Sequence, residues 1–147
     1  MTIAAEFQTL AQKEAAHDVP LWRLYLLRLL YGAIAFLMGM QIWPIVLQHG
    51  TMTVMRGVAF AMLAALSAVA ILGLRYPLKM LPLLFFELMW KAIWLAAFAL
   101  PEALKGPLGP DMMETVINTS VGIVVPLVLP WRYVFANYVK KPGDRWR

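Results

Sequence analysis

Apolar residues fill four long blocks of this chain, roughly Leu24 to Leu47, Val54 to Leu74, Leu81 to Leu100 and Met112 to Phe135. Each holds about 20 residues or more, the length an α-helix needs to cross a hydrocarbon core of roughly 30 Å. Backbone polar groups inside lipid must bond within their own segment, so such blocks are helices. The pattern predicts an all-α protein: an integral membrane four-helix bundle, one membrane domain over residues 1–147. Ahead of the first block, residues 1–20 put Ile3, Phe7 and Leu10 on one helical face, with Glu6, Lys13 and Glu14 elsewhere. This predicts a short amphipathic helix lying on the membrane surface and ending at Pro20. No basic region opens the chain, so the first block does not read as a cleavable signal peptide. The connections are short: QHGTMT (48–53), the tight RYP turn (75–77), and PEALKGPLGPD (101–111) with its three prolines and two glycines.

Composition agrees with the pattern. The chain is 62% hydrophobic and 14% charged, with a mean hydropathy of +0.70; soluble domains carry about a quarter charged residues. The formal net charge of +5 would suggest nucleic acid if it formed one patch, but it sits at span ends. Lys13, Arg23 and Arg28 precede or open the first span, Arg75 and Lys79 lie between the second and third, and Arg132, Lys140, Lys141, Arg145 and Arg147 close the chain. The other two connections offer only Arg56 and Lys105. Basic residues accumulate on the cytoplasmic side, so both termini are expected there, with residues 136–147 as a basic tail against anionic lipid. The lipid bilayer is thus the expected partner. A homodimer or a larger membrane complex is left open, and no nucleic acid is implied. Trp22, Tyr25, Trp43, Tyr76, Trp131 and Tyr133 fall where an aromatic belt belongs.

The faces of the helices differ. Gly32, Ala35 and Gly39 share a face of span one, and Gly57, Ala61, Ala64 and Ala68 share a face of span two. Small residues let helices approach closely in lipid, so these stripes predict packing of the two spans, or a dimer seam. Span four carries Thr115, Asn118, Thr119, Gly122, Pro126, Pro130 and Tyr133 on one broad face. Pro126 and Pro130 cannot donate to the carbonyls of Gly122 and Pro126, which must find other partners. That face is expected to point inward, as a kink or as the lining of a cavity.

The strongest chemical signal is FFELMWKAIW, residues 85–94, which places Glu87 and Lys91 inside the third span. At 1.5 Å per residue they lie about 9 and 15 Å into the core. A lone charge at that depth costs roughly 2.5–3.5 kcal/mol. Glutamate four residues before lysine is the favourable order for an intrahelical pair. Arg28, about 6 Å deep on span one, is at a comparable level. The expectation is a buried Arg28–Glu87–Lys91 network, with Trp94 offering its ring to Lys91 and Tyr31 and Asn118 as hydrogen-bond partners.

Other chemistry is sparse. Zero cysteines exclude disulfides, iron–sulfur clusters and thiol catalysis. His17 and His49 are the only histidines and are expected on opposite sides of the membrane, which rules out a bis-histidine haem and leaves no metal site. Ser67 and Ser120 have no histidine within reach, so no catalytic residue and no cofactor is assigned. Three stretches, WRLYLLRLLYG (22–32), GLRYPLKMLPLLFFELMWKAIWL (73–95) and PWRYVFANYVKKPGDRWR (130–147), together resemble an uncharacterised group of small four-helix proteins of the bacterial inner membrane. The resemblance covers most of the chain and implies that architecture, with no activity attached. The size is also similar to that of DoxX-like proteins and small multidrug-resistance transporters, but the latter carry their carboxylate in the first span and this chain carries it in the third. Three function classes follow: a non-catalytic accessory or assembly factor acting through helix contacts, a small proton-linked transporter or permease using Glu87, and a membrane enzyme acting on lipid or quinone.

Overall fold

The computed structural model describes Leu10, residues 19–48, Gly50 and residues 52–141. The surface helix expected before Pro20 therefore lies almost wholly outside the described residues, as do His17, His49 and the end of the tail. Among the described residues all regular structure is helical. Four helices among the described residues are long and apolar enough to cross a membrane: α1 (Leu21–Leu47), α2 (Val54–Arg75), α3 (Leu81–Lys105) and α4 (Pro110–Val128). This is the build of a multi-pass membrane protein. A fifth helix, α5, runs over Trp131–Val134 and continues as a π-turn over Phe135–Lys140.

Prolines place the boundaries. Pro20, in extended conformation, precedes α1, and Pro82 and Pro110 occupy the opening turns of α3 and α4, where a missing N–H costs nothing. Pro101 does not end the third span as the sequence pattern suggested. The helix widens into a π-turn over Leu95–Ala99, absorbs Pro101 and continues to Lys105. The fourth span ends sooner than expected. Its backbone becomes extended at Leu129, Pro130 follows at ψ 79°, and a new helix starts at Trp131, so residues up to Phe135 do not continue α4. The cause is local: proline can neither donate nor accept an α-helical predecessor without strain.

The bundle is built from two seams. Along the first, α1 and α2 run antiparallel in contact over much of their length. The ring of Tyr31 lies on Gly73, and its hydroxyl donates to the Pro77 carbonyl at 3.0 Å. One turn earlier Arg28 Nε donates to the Leu74 carbonyl at 3.1 Å, and Gly32 admits the Leu74 side chain. Farther along, Gly39 faces Ser67, whose Oγ accepts from Trp43 Nε1 at 3.1 Å and donates to the Ala64 carbonyl at 2.7 Å. Trp43 is thus a packing residue as well as a candidate for the aromatic belt. The second seam joins α3 to α4. The two seams meet at the end carrying the 76–80 turn, where Leu27, Tyr31, Ile34, Leu66, Ala70, Leu81, Leu84, Val125 and Leu129 form one buried cluster. There α5 folds back, and Tyr138 meets Phe85 edge-on at a centroid distance of 5.6 Å.

The small residues of the second span divide between two faces. Ala64 is buried, but Ala61 and Ala68 are exposed and a Cβ on Gly57 would meet nothing within 4 Å. The face that meets α1 carries Ala64, Ser67, Ala70 and Gly73, about a third of a turn away. The large side chains of α1 select it: Tyr31 needs a position without a Cβ and Trp43 needs an acceptor. On α1, Gly32 and Gly39 lie against α2 and Ala35 is half-buried beside the core. Gly57→Ala is accordingly expected to leave the melting temperature in detergent unchanged or raised by about 2 °C, as a helix glycine replaced by alanine at an open position gains roughly 0.5 kcal/mol. A clear fall in differential scanning fluorimetry would place another contact at Gly57.

Candidate functional site

Glu87 follows Leu81 and Leu84 on the buried face of α3, three residues apart, and is 2% exposed. Few positions in a protein interior hold a carboxylate unless every oxygen is engaged. Both oxygens of Glu87 are. Oε1 pairs with Lys91 Nζ at 2.7 Å, and Oε2 accepts from Trp90 Nε1 at 2.7 Å. The ammonium of Lys91 also lies 5.6 Å from the centre of the Trp90 ring. Acid, base and indole all come from one helix turn, so local helix geometry alone brings them together.

The fourth span completes the enclosure. Gly122 stands where the stem of Lys91 passes: a Cβ there would fall 2.6 Å from Lys91 Cδ. Lys91 therefore runs along bare backbone, and the absence of a side chain at Gly122 is what lets α4 close over the pair. The backbone at this point is tightened into a 3-10 turn over Val121–Ile123, with the Val124 N–H directed at the carbonyls of Val121 and Gly122. Pro126, four residues beyond Gly122, leaves that carbonyl without its helical donor, and the tightened turn supplies a replacement. The carbonyl of Pro126 itself accepts from Trp131 Nε1 at 2.8 Å. Both groups freed by the prolines are thus partnered, one by backbone and one by an indole.

The expected network is divided by the fold. Arg28 belongs to the α1–α2 seam, bonded to Leu74 and 5.6 Å from the Tyr25 ring centre, whereas Glu87 and Lys91 lie at the α3–α4 seam. Among the described residues the ion pairs are Glu87–Lys91 and Glu102–Lys105, and Arg28 joins neither. Tyr31 turns its hydroxyl to Pro77, and Asn118 is exposed. Thr119 and Gly122 are buried on the inward side of α4, Pro126 is half-buried and Pro130 buried. Trp94 is half-buried, but the ring that meets Lys91 is Trp90. Trp90 was the residue missed by pattern reading. Its signal was present, since a residue three after the glutamate and one before the lysine is within reach of both.

Chemically, this arrangement sets an acid against a base and an indole donor within one helix turn, with two N–H groups 2.7 Å from the carboxylate oxygens. Comparison with protein-family models, with curated proteins and with solved structures finds no match for the chain.

Proposed function

We propose that this is a non-catalytic four-span protein of the bacterial inner membrane, with both termini cytoplasmic, acting through helix contacts as an accessory or assembly factor. One observation carries the reading: Glu87 is enclosed, with both oxygens engaged by residues of its own helix and Gly122 of α4 closed over the lysine. A carboxylate that relays protons has to change partners, whereas this one is held by local geometry and packing. The pair acts as a registration device that fixes the rotation of α3 against α4, a role attested for buried polar groups elsewhere. The sidedness is supported by charge. One end of the bundle carries Arg23, Arg75, Lys79, Arg132, Lys140 and Lys141, and the other combines Arg56 and Lys105 with Glu102, Asp111 and Glu114.

The runner-up, a proton-linked transporter using Glu87, is separated by reconstitution. Wild type and Glu87→Gln are placed in liposomes loaded with a pH-sensitive dye, and a pH gradient is imposed. The scaffold reading expects both to leak protons at the rate of empty vesicles. A flux present in wild type and abolished in a folded Glu87→Gln protein would overturn it.

A further inference from the structure

The break at Leu129–Pro130 has a second consequence. Because α5 departs from the axis of α4, a cleft of about 680 Å³ opens between the start of α1 and α5. Its cationic lining is Arg23, Arg132 and Lys140, and its walls include Trp22, Trp131 and Tyr133. No acidic residue is among the lining residues described. Arg23 is half-buried with its guanidinium 5.3 Å from the Trp22 ring centre, and Trp131 is anchored by its bond to Pro126. The cleft therefore has an anchored indole in its wall and three cations drawn from two helices far apart in sequence. It also sits where α1 begins and α4 ends, level with the edge of the apolar spans.

We infer that this cleft is a binding site for the phosphodiester headgroup of an anionic membrane lipid. The chemistry required is a phosphate anion attached to an apolar body. Arginine matches phosphate oxygens with its planar fork of donors. Tryptophan and tyrosine side chains suit the glycerol and upper acyl region, where one side is apolar and the other wet. A soluble phosphate offers the same anion without that body, and the aromatic walls favour the lipid. Basic pockets between helices at a membrane edge are established recognition sites for such headgroups. This inference is independent of the role assigned to Glu87 and Lys91, since it uses neither residue.

The test is native mass spectrometry of the full chain, released from nanodiscs containing equal amounts of phosphatidylglycerol and phosphatidylcholine. The expected result is selective retention of phosphatidylglycerol by the wild type. The double variant Arg23→Gln/Arg132→Gln, which removes two of the three cations, should weaken it by about tenfold or more. Arg56→Gln, which removes a charge at the opposite end, should leave retention unchanged. Equal retention of the two lipids by the wild type, which needs no variant to fold, overturns the proposal. So does an equal loss in Arg56→Gln, because bulk charge would then explain the preference. Displacement of the lipid by millimolar inorganic phosphate would reassign the cleft to a soluble anion and overturn the lipid assignment.

Discussion

Lys91→Met is expected to be the most damaging change at the α3–α4 seam, lowering stability in detergent by about 3–5 kcal/mol. It strips the buried Glu87 of its counter-charge and leaves one indole bond to hold a carboxylate whose side chain is 3% exposed. Glu87→Gln should cost less. The lysine left behind is 15% exposed, and its long stem can carry the ammonium toward a more polar level; glutamine Oε1 can still accept from Trp90. The double variant Glu87→Gln/Lys91→Met should recover most of the loss, to within about 1 kcal/mol of wild type, because replacing both charges of a buried pair is often close to neutral. Thermal unfolding in one detergent would give the order: Lys91→Met worst, Glu87→Gln intermediate, the double variant nearest wild type. A double variant as unstable as Lys91→Met would show that the charges, rather than their neutrality as a pair, hold the seam.

At the other seam, Gly73→Ala is expected to lower the melting temperature by roughly 10 °C, corresponding to about 3 kcal/mol. The added methyl would fall closer than 3.0 Å to three atoms of the Tyr31 ring. That ring is fully buried, one helical turn after Arg28, which pins α1 to Leu74. It has little room to retreat without pulling its hydroxyl from Pro77, which would leave a buried polar group unpaired. A cycle isolates the contact: on a Tyr31→Ala background, Gly73→Ala should cost almost nothing, since the clash has been removed. Equal losses on both backgrounds would assign the effect to helix backbone instead. The contrast with the harmless Gly57→Ala on the same helix makes the pair a test of which face of α2 is buried.

The two glycines show where pattern reading stops. Gly57 and Gly73 are both small residues in a long apolar run, and only the neighbouring helix distinguishes them. The spacing of Gly57, Ala61, Ala64 and Ala68 is regular, so it was the visible stripe, yet α1 packs on Ala64, Ser67, Ala70 and Gly73. In lipid no hydrophobic gradient selects a helix face, and close fit decides it. The fit here depends on two large residues of another helix, Tyr31 and Trp43, which no property of the α2 sequence discloses. The same limit applies to Arg28. Equal depth made it a reasonable partner for Glu87, but depth does not report azimuth, and the bundle turns Arg28 toward Leu74.

What the sequence determined by itself is whatever lies within one helix or follows from the solvent. The four helices long enough to cross a membrane follow from apolar length, and the Glu87–Lys91 pair follows from a separation of four residues, which the helix repeat converts directly into contact. Tertiary structure alone decided which seam each charge joins, which glycine carries a tyrosine ring, and how the chain turned at Pro130 opens a basic cleft against α1. Those outcomes depend on the relative rotation of helices distant in sequence. That rotation is set by mutual shape, a quantity that exists only once the partners have met.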